Sequence, residues 1–198
     1  MHDAGSAYIA RVEFLEEEMG TKTDAPGKVL WTKEQIQRRV DELAAEISAS
    51  FNGGNLLCLV VLRGGFFFAA DLIRGLKGFD RIEIDFVRLS SYAGTSPGGE
   101  VKFRGQLPKV AGDNVLVIED LTDTGATMHT LADALRASGA AQVKYAVLVD
   151  KTARRNREFH GDFVAFKIDR DDFLVGYGMD LNDNFRALPS ICSVPAAK

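Results

Sequence analysis

Leu56–Leu62 and Val115–Ile118 are apolar without interruption, and Val143–Val149 is nearly so. Runs of this kind are expected of central parallel strands covered on both faces. Arg81–Leu89 alternates instead, with Ile82, Ile84 and Phe86 on one face, and reads as a further strand. Between these runs the period lengthens. Ile36, Val40, Leu43 and Ile47 recur at helical spacing. Thr32 with Gln35 three residues on forms a capping-box pattern that starts this helix, and Asn52-Gly-Gly-Asn55 ends it. Phe66–Leu76 predicts a second helix with Gly78 near its end, and Met128–Ser138 a third, closed by Gly139. Phe163–Ile168 and Phe173–Tyr177 are shorter strand-like pieces. Ser90–Gly99, rich in Ser, Gly, Thr and Pro, reads as a long polar loop and a lid candidate, while residues 1–30 are weakly patterned. The rhythm of strand, loop, helix and strand predicts an α/β fold. Its sheet is mainly parallel, twisted and flanked by helices, with ligands bound beyond the carboxyl ends of the strands.

Composition narrows the class. At 198 residues and 46% hydrophobic, the chain suits one domain that buries about 70% of its unfolded surface. The apolar runs are too short to span a bilayer, and the first residues lack the basic region and apolar core of a signal peptide. A net charge of −4 gives no global basic field for nucleic acid. Cys58 lies inside an apolar run and Cys192 near the C-terminus, which argues against a disulfide framework. His2, His129 and His160 sit at no metal-ligand spacing. The expectation is a soluble cytoplasmic protein.

The candidate chemistry is concentrated in Val115–Thr127. An apolar run stops at the adjacent carboxylates Glu119 and Asp120; a third, Asp123, follows, and Thr124-Gly125-Ala126-Thr127 leads into a helix. Unpaired backbone N–H groups at a helix N-terminus favour an anion, and glycine lets the backbone approach a phosphate closely. The plain alternative is an ordinary N-capping turn with Thr127 as the cap. The two adjacent acids facing that turn would repel unless a cation or a hydroxyl-bearing ligand sat between them. No Gly-x-x-x-x-Gly-Lys-Ser/Thr and no strand-borne Gly-x-Gly-x-x-Gly occurs. A phosphorylated sugar with a divalent metal is the reading these residues support.

Val115–Thr127 resembles the phosphoribosyl pyrophosphate (PRPP) signature of type I phosphoribosyltransferases. Four other segments extend the resemblance to the hypoxanthine-guanine branch: Leu62-Arg63-Gly64-Gly65, Arg88–Tyr92, Val149-Asp-Lys151, and Asp172–Asp180 followed by Phe185-Arg186. Together they cover roughly residues 30–194 in unbroken order. What the resemblance implies is as follows. Glu119 and Asp120 hold the ribose hydroxyls and influence a magnesium ion, and Thr124, Gly125, Ala126 and Thr127 cradle the 5′-phosphate. Asp123 acts as the acid or base at purine N7. Arg63 and Gly64 present backbone N–H groups to pyrophosphate beside a cis peptide. Ser91 and Tyr92 begin a closing lid. Lys151 donates to the purine 6-oxo group, and Phe173 stacks on the ring while the backbone around Leu174 reads its edge. Asp180 binds a second Mg²⁺, and Arg186 contacts pyrophosphate. The implied architecture is a single phosphoribosyltransferase domain over 1–198, with a core of about 32–168. A small hood would come from the N-terminal segment and about 169–198. A homodimer or homotetramer, with PRPP and a 6-oxopurine as partners, belongs to the same implication. Ala126 departs from relatives that carry a larger polar or basic residue there, so a side-chain phosphate contact is lost.

Plainer readings stand beside these. Lys151 begins Lys151-Thr-Ala-Arg-Arg-Asn-Arg157, which on composition is a solvated basic loop. Phe173 could be core, Asp180 with Arg186 a surface ion pair, and Ser91 with Tyr92 plain strand-end residues. Two other function classes compete: a PRPP-sensing regulator that binds nucleic acid, and a metal-dependent phosphatase with Asp120 or Asp123 as nucleophile. The first would need a basic domain or face, and the roughly 30 residues before Thr32 are short and acidic (Glu13, Glu16–Glu18). The second would release phosphate from simple phosphoesters.

Overall fold

The computed structural model describes residues 26–92, 100–104, 107–123, 125–153 and 161–194. The chain divides into two compact units, Gln37–Asp171 and Met1–Ile36 with Asp172–Lys198.

The larger unit is built on a six-stranded sheet. Its strands are β2 (Asn55–Leu62), β3 (Arg81–Tyr92), β4 (Glu100–Arg104), β5 (Asn114–Thr122), β6 (Gln142–Lys151) and β7 (Phe163–Ile168), in the order β4-β3-β2-β5-β6-β7. β3, β2, β5, β6 and β7 are mutually parallel, and β4 pairs antiparallel with the end of β3. The three predicted helices are present: α1 (Lys33–Ser50), α2 (Gly65–Gly75) and α3 (Ala126–Ala137). One face of the sheet packs Leu57, Leu59 and Val61 of β2, Val115 and Val117 of β5, and Val147 of β6 on Met128, Leu131, Ala132 and Leu135 of α3. Each such side chain, fully buried, contributes about 1.5–3 kcal/mol. The alternate residues Leu56, Cys58 and Val60 take the opposite face. There α2 lies so close that a Cβ on Gly65 would sit 3.6 Å from Val60 Cγ1.

The capping box forms as its spacing requires. Thr32 N–H donates to Gln35 Oε1 at 2.8 Å, and Gln35 N–H donates to Thr32 Oγ1 at 3.4 Å. Ile36, Val40, Leu43 and Ile47 are buried. One expectation changes. Ser90, Ser91 and Tyr92 belong to β3 and pair with Lys102, Val101 and Glu100, so the loop is shorter than Ser90–Gly99. The side chains of Ser91 and Tyr92, and residues 93–99, fall outside the described residues. On β3 the alternating apolar face is exposed at Ile84 (52%) and Phe86 (47%), while Val87 is buried.

The smaller unit holds a three-stranded antiparallel sheet of β1 (Lys28–Trp31), β9 (Ile191–Val194) and β8 (Phe173–Val175). Val175, Leu181, Cys192 and Val194 form its core, with Phe185 against them.

Candidate active site

The predicted residues of the larger unit gather at the carboxyl ends of β2, β5 and β6. β5 does not stop at Ile118. It continues through Glu119 and Asp120 to Thr122, because β6 supplies backbone partners as far as Asp150. The two carboxylates are therefore strand residues with fixed backbones. Glu119 is buried, and burial, followed by the neighbouring charge of Asp120, holds its carboxyl well above the usual carboxylate range.

β2 leaves the sheet next to them. The Leu62–Arg63 peptide is cis, and Gly64 and Gly65 open α2. A Cβ on Gly64 would collide with the Asp120 carboxylate, and one on Gly65 would stand 3.1 Å from the Ile118 carbonyl oxygen. Glycine is needed at Gly64 for this approach and not for backbone freedom, since its φ of −64° and ψ of −40° suit any residue.

Beyond Thr122 the chain turns. Asp123 Oδ1 is buried with no hydrogen-bond partner among the described residues. Gly125 has φ +80°, a left-handed conformation that favours glycine, and stands as the N-cap of α3 without a side-chain cap bond. The alternative with Thr127 as the cap is thereby corrected, since α3 already runs from Ala126. The first N–H groups of α3 are thus presented by backbone geometry, as an anion requires. Thr124 and the side chains of Ala126 and Thr127 lie outside the described residues.

Across the strand pair, Thr122 Oγ1 donates to Asp150 Oδ1 at 3.0 Å, and both residues are buried. Thr122 and Asp150 are also register partners, so Lys151 ends β6 beside the point where Asp123 leaves β5. Lys151 is the last residue of β6, 6% exposed, and paired in register with Ile168 of β7. It is not the opening of a solvated basic loop. Its Nζ lies 3.6 Å from Asp171 Oδ1. Thr122, Asp150 and Asp171 escaped the sequence reading. For Thr122 and Asp150 the signal was adjacency to Asp123 and Lys151 at strand ends, which acquires meaning only once the register is known, while Asp171 meets Lys151 only through the fold.

In the smaller unit Phe173 is 44% exposed, as a ring available for stacking would be. Leu174 is buried, so only its backbone can address a ligand. Asp180 and Arg186 pair with each other at 2.6 Å. Arg186 also donates to the Gly178 carbonyl at 2.7 Å, and Asp180 accepts from Asp183 N–H at 2.8 Å. For either to take a ligand, that pair must open or the ligand must add to it.

The Glu119 shift has a sign that can be tested. A carboxyl with a raised folded-state pKa favours the folded state fully below its unfolded value, and this contribution is lost as pH rises through the folded value. Stability of the ligand-free, chelator-treated protein should therefore fall as pH rises above about 4.5. Glu119→Gln removes the titrating group. The Tm advantage of the variant over wild type should grow from pH 5 to pH 8, and an advantage independent of pH would contradict the burial of a charge at this position.

With this geometry in place, comparison with known proteins is specific. Residues 31–184 match the phosphoribosyl transferase domain model, and the chain belongs to that family. Within it, the similarity is to hypoxanthine-guanine phosphoribosyltransferases. The rat enzyme of that name is 36% identical over 168 residues, covering 80% of this chain and 77% of its own length. A bifunctional protein of Listeria monocytogenes is 39% identical over 166 residues, 83% of this chain but 25% of that protein. The crystal structure of a hypoxanthine-guanine phosphoribosyltransferase from Bacillus anthracis superposes with a TM-score of 0.79 at 38% identity, covering 86% of this chain and 99% of that one.

Proposed function

We propose that this protein transfers the 5-phosphoribosyl group of PRPP to N9 of hypoxanthine or guanine, releasing pyrophosphate, as a purine-salvage enzyme. The observation that carries the reading is the turn after β5. There Asp123 offers a buried carboxylate oxygen without a hydrogen-bond partner among the described residues, beside a helix N-terminus opened by left-handed Gly125.

In this reading the backbone of Thr124–Thr127 holds the 5′-phosphate. Glu119 and Asp120 hold the ribose hydroxyls, which relieve the repulsion between their carboxylates. Departure of pyrophosphate leaves positive charge on the ribose while negative charge grows on the leaving group. The N–H groups of Arg63 and Gly64, with Arg186, would meet that negative charge. Asp123 handles the proton at purine N7, worth about 10²–10⁴-fold in rate. Lys151 donates to the 6-oxo group, Phe173 stacks on the ring, and Ser91 and Tyr92 begin a lid that keeps water from hydrolysing PRPP.

Magnesium belongs to the proposal. Glu119 and Asp120 offer hard carboxylate oxygens to one ion and Asp180 to a second, and one or two carboxylates plus substrate phosphates commonly hold this ion. When bound, the ion neutralises charge on the leaving pyrophosphate.

A homodimer or homotetramer is part of the same reading. Registers Cys58↔Ile84 and Val60↔Phe86 put Ile84 and Phe86 on the sheet face that carries α2, where Phe66 is also 50% exposed. Large apolar side chains gathered on one face support self-association. Free, buried Cys58 and Cys192 support a reducing, cytoplasmic setting. No described helix is long and apolar enough to cross a membrane.

The test is nucleotide formation with Mg²⁺, PRPP and, separately, hypoxanthine, guanine, xanthine and adenine. Turnover is expected with hypoxanthine or guanine, and its absence with every 6-oxopurine sinks the reading.

A further inference from the structure

We propose that Asp171 is a positioning residue that aims the Lys151 ammonium at the 6-position of the purine, and so contributes to the preference for a 6-oxo over a 6-amino base. The inference rests on the purine role proposed for Lys151.

The Lys151 side chain is 8% exposed, and a buried ammonium is stable only beside compensating groups. Asp171 supplies charge at 3.6 Å. At that separation the attraction is electrostatic and is not a short hydrogen bond. Lysine carries three donors on a four-carbon stem with many rotamers. A carboxylate fixed on one side restricts where those donors point.

Asp171 is itself fixed. Lys151 and Ile168 are register partners, Thr152 N–H donates to the Ile168 carbonyl at 3.0 Å, and Thr152 Oγ1 donates to Asp169 Oδ1 at 3.0 Å. The chain leaving β7 is thus fastened to the residue that follows Lys151, two positions before Asp171. A base with an oxygen at the 6-position accepts from the aimed ammonium, whereas an amino group there opposes donor to donor. Without Asp171 the stem can swing, and both the affinity and the discrimination should weaken.

Asp171 is 44% exposed, so its charge is partly screened by water. Asp171→Asn should accordingly raise the KM for hypoxanthine about fivefold. The kcat and the KM for PRPP should stay near wild type, and the hypoxanthine-over-adenine ratio of kcat/KM should fall in parallel. Asp171→Glu should restore the wild-type KM. In a Lys151→Met background, Asp171→Asn should add nothing to the purine KM. A purely structural role would instead lower Tm and shift KM equally in both backgrounds. That result, or an unchanged KM in Asp171→Asn, overturns the inference while leaving the enzyme reading intact. A wild-type protein inactive on every 6-oxopurine overturns both.

Discussion

Asp123→Asn should lower kcat by about 10²–10⁴-fold, the range that a positioned proton-transfer group contributes. The substitution keeps the shape of the side chain and removes its capacity to take a proton. Oδ1 of Asp123 is buried without a hydrogen-bond partner among the described residues, an arrangement that costs about 1–3 kcal/mol unless a ligand group uses it. The phosphate cradle proposed around Gly125 would use backbone N–H groups, so the KM for PRPP should change little. Steady-state kinetics at saturating hypoxanthine separate the two parameters. A variant with wild-type kcat removes Asp123 from proton transfer. One with unchanged kcat but a much higher PRPP KM moves it to the phosphate site.

The sequence made the parallel core legible because strands buried on both faces cannot disguise their composition. β2 and β6 were found nearly to the residue. The helix starting after Thr32 was equally visible, since its two capping bonds are local. What stayed hidden depends on distant partners. β1 and β9 pair with each other from opposite ends of the chain, and neither has a strong pattern. β4 exists because the end of β3 offers it an edge. Glu119 and Asp120 look like the end of a strand by polarity, yet β6 carries the pairing past them. Ile82, Ile84 and Phe86 alternate on one face, but α2 is seated over β2 and β5, and Ile84 and Phe86 stay exposed. Lys151 shows how composition misleads. Its basic neighbours suggest solvent, whereas β7 pairing alongside buries it. At the site itself the residue types were legible and their mutual contacts were not. Gly64 against Asp120 and Thr122 with Asp150 each require two segments brought together by the fold, whereas the Asp180–Arg186 pair is local and stood among the plain readings of the sequence.

Gly64→Ala should damage activity more than stability. The dihedral angles at Gly64 are ones alanine adopts freely, so no backbone penalty arises. The damage comes from the Asp120 carboxylate, which occupies the space the new methyl would need. Either the Arg63–Gly64 segment retreats or Asp120 swings away, and each response displaces a group assigned to PRPP. Overpacking of this kind costs about 1–3 kcal/mol in stability. The kinetic cost should be larger, because misplacing such groups by about 1 Å is worth roughly 10²-fold in rate. The kcat/KM for PRPP should therefore fall by about that factor. Double substitution distinguishes this cause from general disruption. Asp120→Ala vacates the contested space, so Gly64→Ala should destabilise an Asp120→Ala protein much less than wild type, a coupling readable from paired urea melts. Activity should not return, since the carboxylate proposed to hold the ribose is gone. Equal destabilisation in both backgrounds would mean that the two residues do not contend for the same space, and the glycine at this turn would then need another explanation.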